Sequence, residues 1–251
     1  MMKTLVRFEL FKQLRRKENL LVFFMFLLPL FYGLGVHNHS LIVTYNSKEL
    51  INGLTFADNM YTLVYMVFVM FLILAINSAN ILKGEIENGS LSMMLNRVNN
   101  RRNIYRSKFY AQSIYWWVVT VLFVVFSIGC YYLLVANLPI ADGKLISAHY
   151  LSDLMTIVAT GSLYILAISL VQSLSMYVKS YVSIGVFIVL FVVFVYLKSF
   201  PGVQLASPMY HLGQLLDTGK GIDFMRFMAL NWGLVYLLNL IGIRKFERSD
   251  L

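Results

Sequence analysis

The sequence has 251 residues, of which 59% are hydrophobic and only 13% are charged, and its mean hydropathy is +0.71. Soluble domains average about 45–50% apolar and about 25% charged residues, so this composition excludes an ordinary water-soluble fold. The net charge of +9 does not indicate nucleic-acid binding, because its distribution along the chain follows the membrane topology described below.

Six apolar runs are close to the length of about 20 residues that a helix needs to cross a hydrocarbon core of about 30 Å. They cover residues 20–36, 60–82, 113–136, 154–178, 181–197 and 227–243. None of these runs contains Asp, Glu, Lys, Arg or His, so the membrane interior offers no candidate for a proton or ion relay. The sequence therefore predicts an all-α integral membrane protein with a six-span domain over 20–251.

The basic residues lie mostly on one side of the predicted spans. Sixteen of the 21 lysines and arginines are on the side that also holds both ends of the sequence, and five are on the other side. The positive-inside rule places the more basic side in the cytoplasm. We therefore predict a multi-pass protein with both termini cytoplasmic.

Residues 1–19 have the pattern of an amphipathic helix. Apolar residues lie on one side of the helical wheel and polar residues on the other, namely Phe8, Leu10, Phe11 and Leu14 against Glu9, Lys12, Gln13 and Arg16. This pattern predicts a helix in the headgroup plane, with a flexible basic tail as the alternative. The first span has no small-residue cleavage site after it, so we expect it to remain as an anchor.

The sequence contains little catalytic or metal-binding chemistry. Zinc-protease and serine-hydrolase motifs are absent, and Gln214 and Gly221 stand where a Walker motif requires Gly and Ser or Thr. His37 and His39 form an isolated pair, which is more typical of an interfacial polar cap than of a metal site. Cys130 is the only cysteine, so no disulfide framework is expected.

Small polar residues recur in the fourth apolar run. Ser162, Ser169 and Ser173 are spaced close to the helical repeat, with Gln172 beside them. One interpretation is packing against a neighbouring helix, because small polar residues let membrane helices approach and form hydrogen bonds. The other interpretation is a stripe that faces the transported substrate.

Residues 198–226 connect the last two runs and are too apolar for an ordinary outer loop. Ser207 is positioned to cap a short helix that has Pro208 at its first position and ends near Gly219. We predict a re-entrant hairpin that dips into the outer leaflet. The alternative is an amphipathic helix that lies flat on the surface.

Residues 83–112, between the second and third runs, contain a predicted cytoplasmic helix. Asn88, Gly89 and Ser90 form a break with a capping residue. Four apolar residues then recur at helical spacing and form one stripe: Leu91, Met94, Leu95 and Val98. This stripe either folds back under the protein's own bundle or enters a groove on a partner protein.

Charges bracket this predicted helix in the order that its macrodipole favours. Glu85 and Glu87 lie just before its start, where negative charge is stabilising. Arg97, Arg101 and Arg102 lie at or beyond its end, where positive charge is stabilising. The segment is therefore consistent with a helix on both patterns.

The order of these elements, together with the motif of residues 83–112, resembles the ABC-2 type permeases, the membrane subunits of ABC exporters. The motif has the form E-x-E-x-G-[ST]-L-x-x-[LM]-L followed by R-R-x-[IY]-x-x-x-[KR]. Its positions in this chain are Glu85, Glu87, Gly89, Ser90, Leu91, Met94, Leu95, Arg101, Arg102, Ile104 and Lys108. The chain departs from the pattern at one turn, where many members have a Pro and this sequence has Val98, Asn99 and Asn100.

The resemblance implies the ABC-2, or type V exporter, fold, with an N-terminal interfacial helix, a cytoplasmic coupling helix and an outer re-entrant hairpin. In that family the coupling helix docks into a separate ATP-binding cassette subunit, which holds ATP and Mg²⁺. The chain itself would then bind no cofactor and would not be an enzyme. The implied docking residues are Glu87, Gly89, Ser90, Leu91, Met94, Leu95, Val98, Arg101 and Arg102.

The resemblance also implies a bacterial plasma membrane and a second permease, either a copy of this chain or a related one. The chain is most similar to exporters of peptide toxins or antimicrobial peptides, of the phenol-soluble-modulin or lantibiotic-immunity type, so an amphipathic cargo is expected. Asn77 and Asn80 are the expected polar residues of the translocation path. The alternatives are an ATP-independent transporter or channel, an exporter of lipid, polysaccharide or drug, and a membrane scaffold.

Overall fold

The computed structural model describes residues 2–38, 50–95, 98, 100–146 and 150–249 of the chain. Within them the chain forms twelve α-helices and no β-strand, and Ile51 and Ala141 form an isolated β-bridge. The helices are α1 (Met2–Leu14), α2 (Asn19–Val22), α3 (Phe24–His37), α4 (Gly53–Met66), α5 (Val69–Ala79), α6 (Glu85–Glu87), α7 (Ser90–Leu95), α8 (Arg101–Cys130), α9 (Tyr150–Leu174), α10 (Ser180–Leu197), α11 (Pro208–Thr218) and α12 (Gly221–Glu247).

Six helical stretches in the described part of the chain are long and apolar enough to cross a membrane, which confirms the predicted number of spans. They are Asn19–His37, Val69–Glu87, Arg101–Val135, Tyr150–Leu174, Ser180–Leu197 and Gly221–Glu247. Several of these helices extend beyond their apolar runs. The apolar runs contain no ionisable residue, but the helices that contain them do. Glu85, Lys108 and Asp153 lie within the terminal turns of spanning helices, so the prediction that every charge lies in a loop or terminus is wrong.

The second apolar run, 60–82, is not a single helix. The helix α4 ends at Met66 and α5 begins at Val69, and Val67 between them has an extended backbone with φ −82° and ψ 102°. No Pro or Gly marks this break, so local sequence signals do not predict it. The adjacent Phe68 ring packs on Phe191 of α10, with 4.8 Å between ring centroids, which is a contact that only the tertiary structure provides.

The fourth span, α9, lies at the centre of the bundle. Most of it is buried against α12, α4, α5 and α8, whereas few residues of α10 and α12 are buried. Small residues allow the close approach of α9 to its neighbours. A Cβ atom on Gly161, for example, would lie 2.9 Å from Cζ3 of Trp117 on α8.

The serine stripe of α9 packs against α12. Ser169 donates from Oγ to the carbonyl of Val235 at 3.2 Å, and Asn231 donates from Nδ2 to the carbonyl of Ser162 at 2.9 Å. Both serines are fully buried. The packing interpretation of the stripe therefore describes the structure, and the substrate-facing interpretation does not.

Residues Met2–Leu14 form the helix α1, so the alternative of a flexible tail is wrong. The polar face of α1 points toward the bundle. Glu9 and Gln13 are buried, and α1 lies against α8. The apolar residues Phe8, Phe11 and Leu14 are 53%, 51% and 62% exposed. An outward apolar face fits a helix that lies beside the bundle at the level of the lipid headgroups.

The helix α11 forms where the sequence predicts it, with Pro208 as its first residue and Gly219 after its last, at φ 62°. It packs on α12 and α9 through the buried Leu212 and Leu215. Ser207 occupies the N-cap position but does not cap, because its Oγ donates to the carbonyl of Phe194 on α10 at 2.9 Å. The segment 198–226 thus folds back onto three spans.

Candidate functional site at the basic end of the bundle

The chain segments that the sequence places in the cytoplasm meet at one end of the bundle, which we call the basic end. This end contains α1, the segment 83–108, the turn between α9 and α10, and the end of α12. A separate apolar cluster holds these parts together, and its buried members are Leu82, Leu91, Val98, Ile104, Tyr105, Met176, Ile243 and Phe246. The segment 83–108 is therefore packed against the ends of several spans.

The helix α7 begins at Ser90, one residue earlier than a capping role for that serine would require. The capping group is Asn88, whose Oδ1 accepts from the backbone N–H of Ser90 at 3.1 Å and from its Oγ at 2.8 Å. Gly89 between them has φ 74° and open space around its Cα. Glycine suits this turn because other residues are strained at positive φ.

The apolar stripe of the segment is covered mainly by the protein itself. Leu91 is 2% exposed and Val98 is 9% exposed, and both belong to the cluster at the basic end. Met94 and Leu95 pack against the same cluster but are only partly buried. Leu91 and Val98 therefore fold back under the protein's own bundle. Of the four residues of the stripe, only Met94 and Leu95 keep apolar surface that a partner protein could contact.

Five charged side chains, Glu9, Lys12, Arg16, Glu85 and Lys108, form what we call the buried ion cluster. Lys108 is completely buried, and its Nζ donates to Glu85 Oε2 at 2.6 Å and to Glu9 Oε1 at 3.1 Å. Lys12 Nζ and Arg16 Nη2 donate to Glu85 Oε1 at 2.6 and 3.3 Å. The cluster joins α1, α6 and α8, and each buried charge has an opposite charge beside it, as burial requires.

The residues of this cluster were only partly predicted. The motif contains Glu85 and Lys108, but the sequence suggested a macrodipole role for Glu85, and that interpretation is wrong because the carboxylate faces α1 and α8. The polar side of the α1 helical wheel indicates that Glu9 and Lys12 face either water or polar side chains. Nothing local identifies their partners, since Glu9 and Lys108 are 99 residues apart.

The other charged residues of the motif connect the segment to α10 and α12. Glu87 accepts from the backbone N–H and the Oγ of Ser180 at 3.1 and 3.0 Å, and so holds the start of α10. Arg102 forms an ion pair with Glu247 at 2.9 Å, and Arg101 donates to the carbonyl of Ser249. Arg97 and Asn99 lie outside the described residues.

The two asparagines predicted for the translocation path face the first span. Asn77 is fully buried, and its Nδ2 lies 3.5 Å from Asn19 Oδ1. Asn80 donates from Nδ2 to Glu18 Oε1 at 3.0 Å. These contacts hold the second span against α2, so both residues have a packing role in this structure.

The opposite end of the bundle contains a cavity of about 680 Å³ between α4, α9, α10 and α11, which we call the outer cavity. Its charged lining residues are Asp58, Asp153, Lys198 and Asp217. Thr55 donates to Asp153 Oδ2 at 2.7 Å. Burial, and after it the charge of Asp153, raises the pKa of Asp58 to about 8. The sequence did not predict this site, because its acids come from separate segments.

The histidine pair is only partly described. A ring nitrogen of His37, Nδ1, lies 3.0 Å from the carbonyl oxygen of Leu134, at the end of the third span. This contact fits the interfacial polar cap that the sequence indicates. His39 lies outside the described residues.

The fold defines the class of this chain as an all-α, multi-pass membrane protein with a structured cluster at its basic end. No protein-family model matches the chain, and no curated protein matches it at a significant level.

Proposed function

We propose that the chain is the membrane-spanning permease subunit of an ATP-driven exporter, which docks a separate ATP-binding cassette subunit through the segment 83–108. The observation that carries this proposal is the set of contacts between that segment and the rest of the bundle. Glu85 bonds to α1 and α8, Glu87 to α10, and Arg102 to α12. A displacement of the segment 83–108 would be passed to all of them.

Such connections are what a chain needs if it is driven by a motor on another subunit. The sequence has no phosphate-binding loop, so ATP and Mg²⁺ would be held by the partner. Interfaces and packed cores shift between discrete arrangements rather than deforming continuously, so a rigid segment transmits a partner's closure efficiently. The buried ion cluster and the apolar cluster supply that rigidity at the basic end.

The docking surface in this proposal is smaller than the whole apolar stripe. Asn88, Gly89 and Ser92 are exposed, and Met94 and Leu95 are partly exposed beside them. A flexible Met and an aliphatic neighbour suit a shallow groove on a soluble partner. Leu91 and Val98 would support this surface from below without touching the partner.

The remaining parts of the proposal follow the resemblance to ABC-2 permeases. The chain would lie in a bacterial plasma membrane with both termini in the cytoplasm and would pair with a second permease. Few residues of α10 and α12 are buried within this chain, which leaves room for such a pairing. The cargo would be amphipathic, with peptide toxins or antimicrobial peptides as the class that the resemblance favours.

The test is copurification with a candidate ATP-binding cassette subunit, whose gene we expect to lie beside the gene of this chain. The double variant Met94→Glu with Leu95→Glu should retain that subunit at least about tenfold less than the natural chain, because central interface side chains contribute about 2 kcal/mol each. Leu91 is left unchanged, since it belongs to the protein's own core. Lys179→Glu is the matched control, because Lys179 is exposed at the same end outside the segment.

Equal retention by the double variant and by Lys179→Glu would contradict docking through α7. Extraction yield and thermal midpoint are measured for each variant, so that a loss of retention is separated from a loss of fold. Met94 and Leu95 are partly exposed, and both variants should therefore insert and unfold like the natural chain.

An ATP-independent transporter is the second candidate, and the outer cavity favours it. A carboxylate that exchanges its proton near neutral pH is a typical feature of proton coupling, and the pKa of Asp58 is about 8. Efflux measured in cells that lack ATP but keep a proton gradient separates the two candidates. Transport under those conditions, lost in Asp58→Asn, would support the second and overturn the first.

A further inference from the structure

A groove of about 230 Å³ runs along the outside of the bundle between α8 and α12. Arg106 and Tyr110 line it from α8, and Trp232, Tyr236 and Asn239 line it from α12. Tyr110, Trp232 and Tyr236 are 47%, 40% and 65% exposed. Both helices are long and apolar enough to span a membrane, so the groove opens sideways toward the bilayer.

The part of the groove that lies nearest the basic end of the bundle carries a positive charge that no acidic side chain of the described residues neutralises. Arg106 forms no ion pair or hydrogen bond with any residue in the described part of the chain, although Arg102, one turn earlier, is paired with Glu247. Arg244 lies one helical turn beyond Leu240 of the groove, is exposed, and likewise has no partner among the described residues. An anion at this end of the groove would meet the unpaired guanidinium group of Arg106, which lines the groove.

The rest of the groove is suited to hydrocarbon and to the membrane interface. Arg106 is five residues into α8, which places it about 7 Å along the helix from its first residue. Beyond it the walls are mostly aromatic and aliphatic, and an apolar wall of this kind suits an acyl chain. A ligand that fits must therefore have an anionic head and an apolar chain.

We infer that this groove is a binding site for one acidic phospholipid of the leaflet at the basic end. The phosphate group would contact Arg106 and the acyl chain would lie along Trp232 and Tyr236. Basic pockets between spanning helices on the cytoplasmic side are known to select anionic headgroups, and the unpaired charge of Arg106 provides that selection here. A second copy of the chain is the competing occupant, and it would exclude lipid from the groove.

The experiment measures quenching of Trp232 by lipids with brominated acyl chains. The protein is placed in bilayers of phosphatidylcholine with increasing amounts of brominated phosphatidylglycerol or brominated phosphatidylcholine. The Trp232 signal is obtained by subtracting the emission of Trp232→Phe, since Trp116 and Trp117 contribute to the total. The acidic lipid should reach half-maximal quenching at about fivefold lower mole fraction than the neutral lipid, as expected from about 1 kcal/mol per cation.

Arg106→Gln should remove this preference, and Arg106→Lys should keep most of it. Arg248→Gln is the matched control, because it removes one exposed charge at the same end but outside the groove. Quenching of Trp232 by brominated phosphatidylcholine should be unchanged in Arg106→Gln, which verifies the fold of that variant. Equal quenching by both lipids in the natural protein, no quenching by either, or equal loss of preference in Arg248→Gln would overturn the inference.

Discussion

Replacement of Lys108 by Met tests whether the buried ion cluster holds the basic end together. The natural side chain is completely buried and donates to Glu85 at 2.6 Å and to Glu9 at 3.1 Å. After the change Glu85 keeps Lys12 and Arg16, whereas Glu9 keeps only Lys12, at 3.7 Å. A buried carboxylate then loses its main partner, and removal of one member of a buried ion pair costs about 3–5 kcal/mol.

The expected result is a lower thermal midpoint in detergent. A chain of this size loses about 2–4 °C per kcal/mol, so Lys108→Met should unfold roughly 6–20 °C earlier than the natural protein. Arg102→Gln is the control, because the Arg102–Glu247 pair is exposed and pairs of that kind contribute at most about 1 kcal/mol.

A double variant separates the ion pair from simple loss of packing. Adding Glu9→Gln to Lys108→Met removes the uncompensated carboxylate, so part of the lost stability should return. Limited proteolysis of α1 provides a second measurement, since a weakened cluster should release this helix before the spans unfold. A midpoint for Lys108→Met equal to that of Arg102→Gln would refute the reasoning.

Two further predictions concern the outer cavity and the centre of the bundle. The pKa of Asp58 in the folded protein is about 8, against 3.8 for the free side chain, so the folded state holds this proton more tightly and the stability it contributes is lost as pH rises from about 4 to 8. Asp58→Asn should therefore raise the thermal midpoint more at pH 8.5 than at pH 5, and an equal change at both would contradict a titrating Asp58. Gly161→Ala places a Cβ 2.9 Å from Trp117 and should destabilise the fold by about 1–3 kcal/mol, as overpacking does. A Cβ atom on Gly129 of α8 would meet no other atom, so Gly129→Ala should leave the free energy of unfolding unchanged or raise it. The free energy of unfolding is measured by chemical denaturation, and an equal loss in both variants would exclude overpacking as the cause.

The predicted helix in residues 83–112 shows which features the spacing of apolar residues can predict and which it cannot. The spacing of Leu91, Met94 and Leu95 correctly indicates an apolar stripe on a helix, because a helix repeats about every 3.6 residues. Val98 was expected on the same helix but lies beyond its last residue, Leu95, although it joins the same apolar cluster. The spacing left open what the stripe contacts. The structure buries Leu91 and Val98 under the bundle, where they share an apolar cluster with Met176, Ile243 and Phe246 from distant parts of the chain.

The break at Val67 and the orientation of α1 are two features that the sequence pattern did not predict. Residues 60–82 carry no charge and no Pro or Gly, so hydropathy predicts one span. The structure interrupts this run at Val67, next to the contact of Phe68 with Phe191. The α1 wheel predicts two faces, but only the partners on α6 and α8 determine that the polar face points inward.

The sequence by itself determined the membrane class, the six spans and the concentration of positive charge at one end. These are properties of single residues and short windows, because the free energy of transfer into a bilayer depends on local composition. Only the tertiary structure decided that Lys108, Glu85 and Glu9 share one buried cluster, and that Asp58 and Asp153 face one cavity. Such pairings join residues far apart in the chain, so their free energy depends on distances that exist only after the helices have packed.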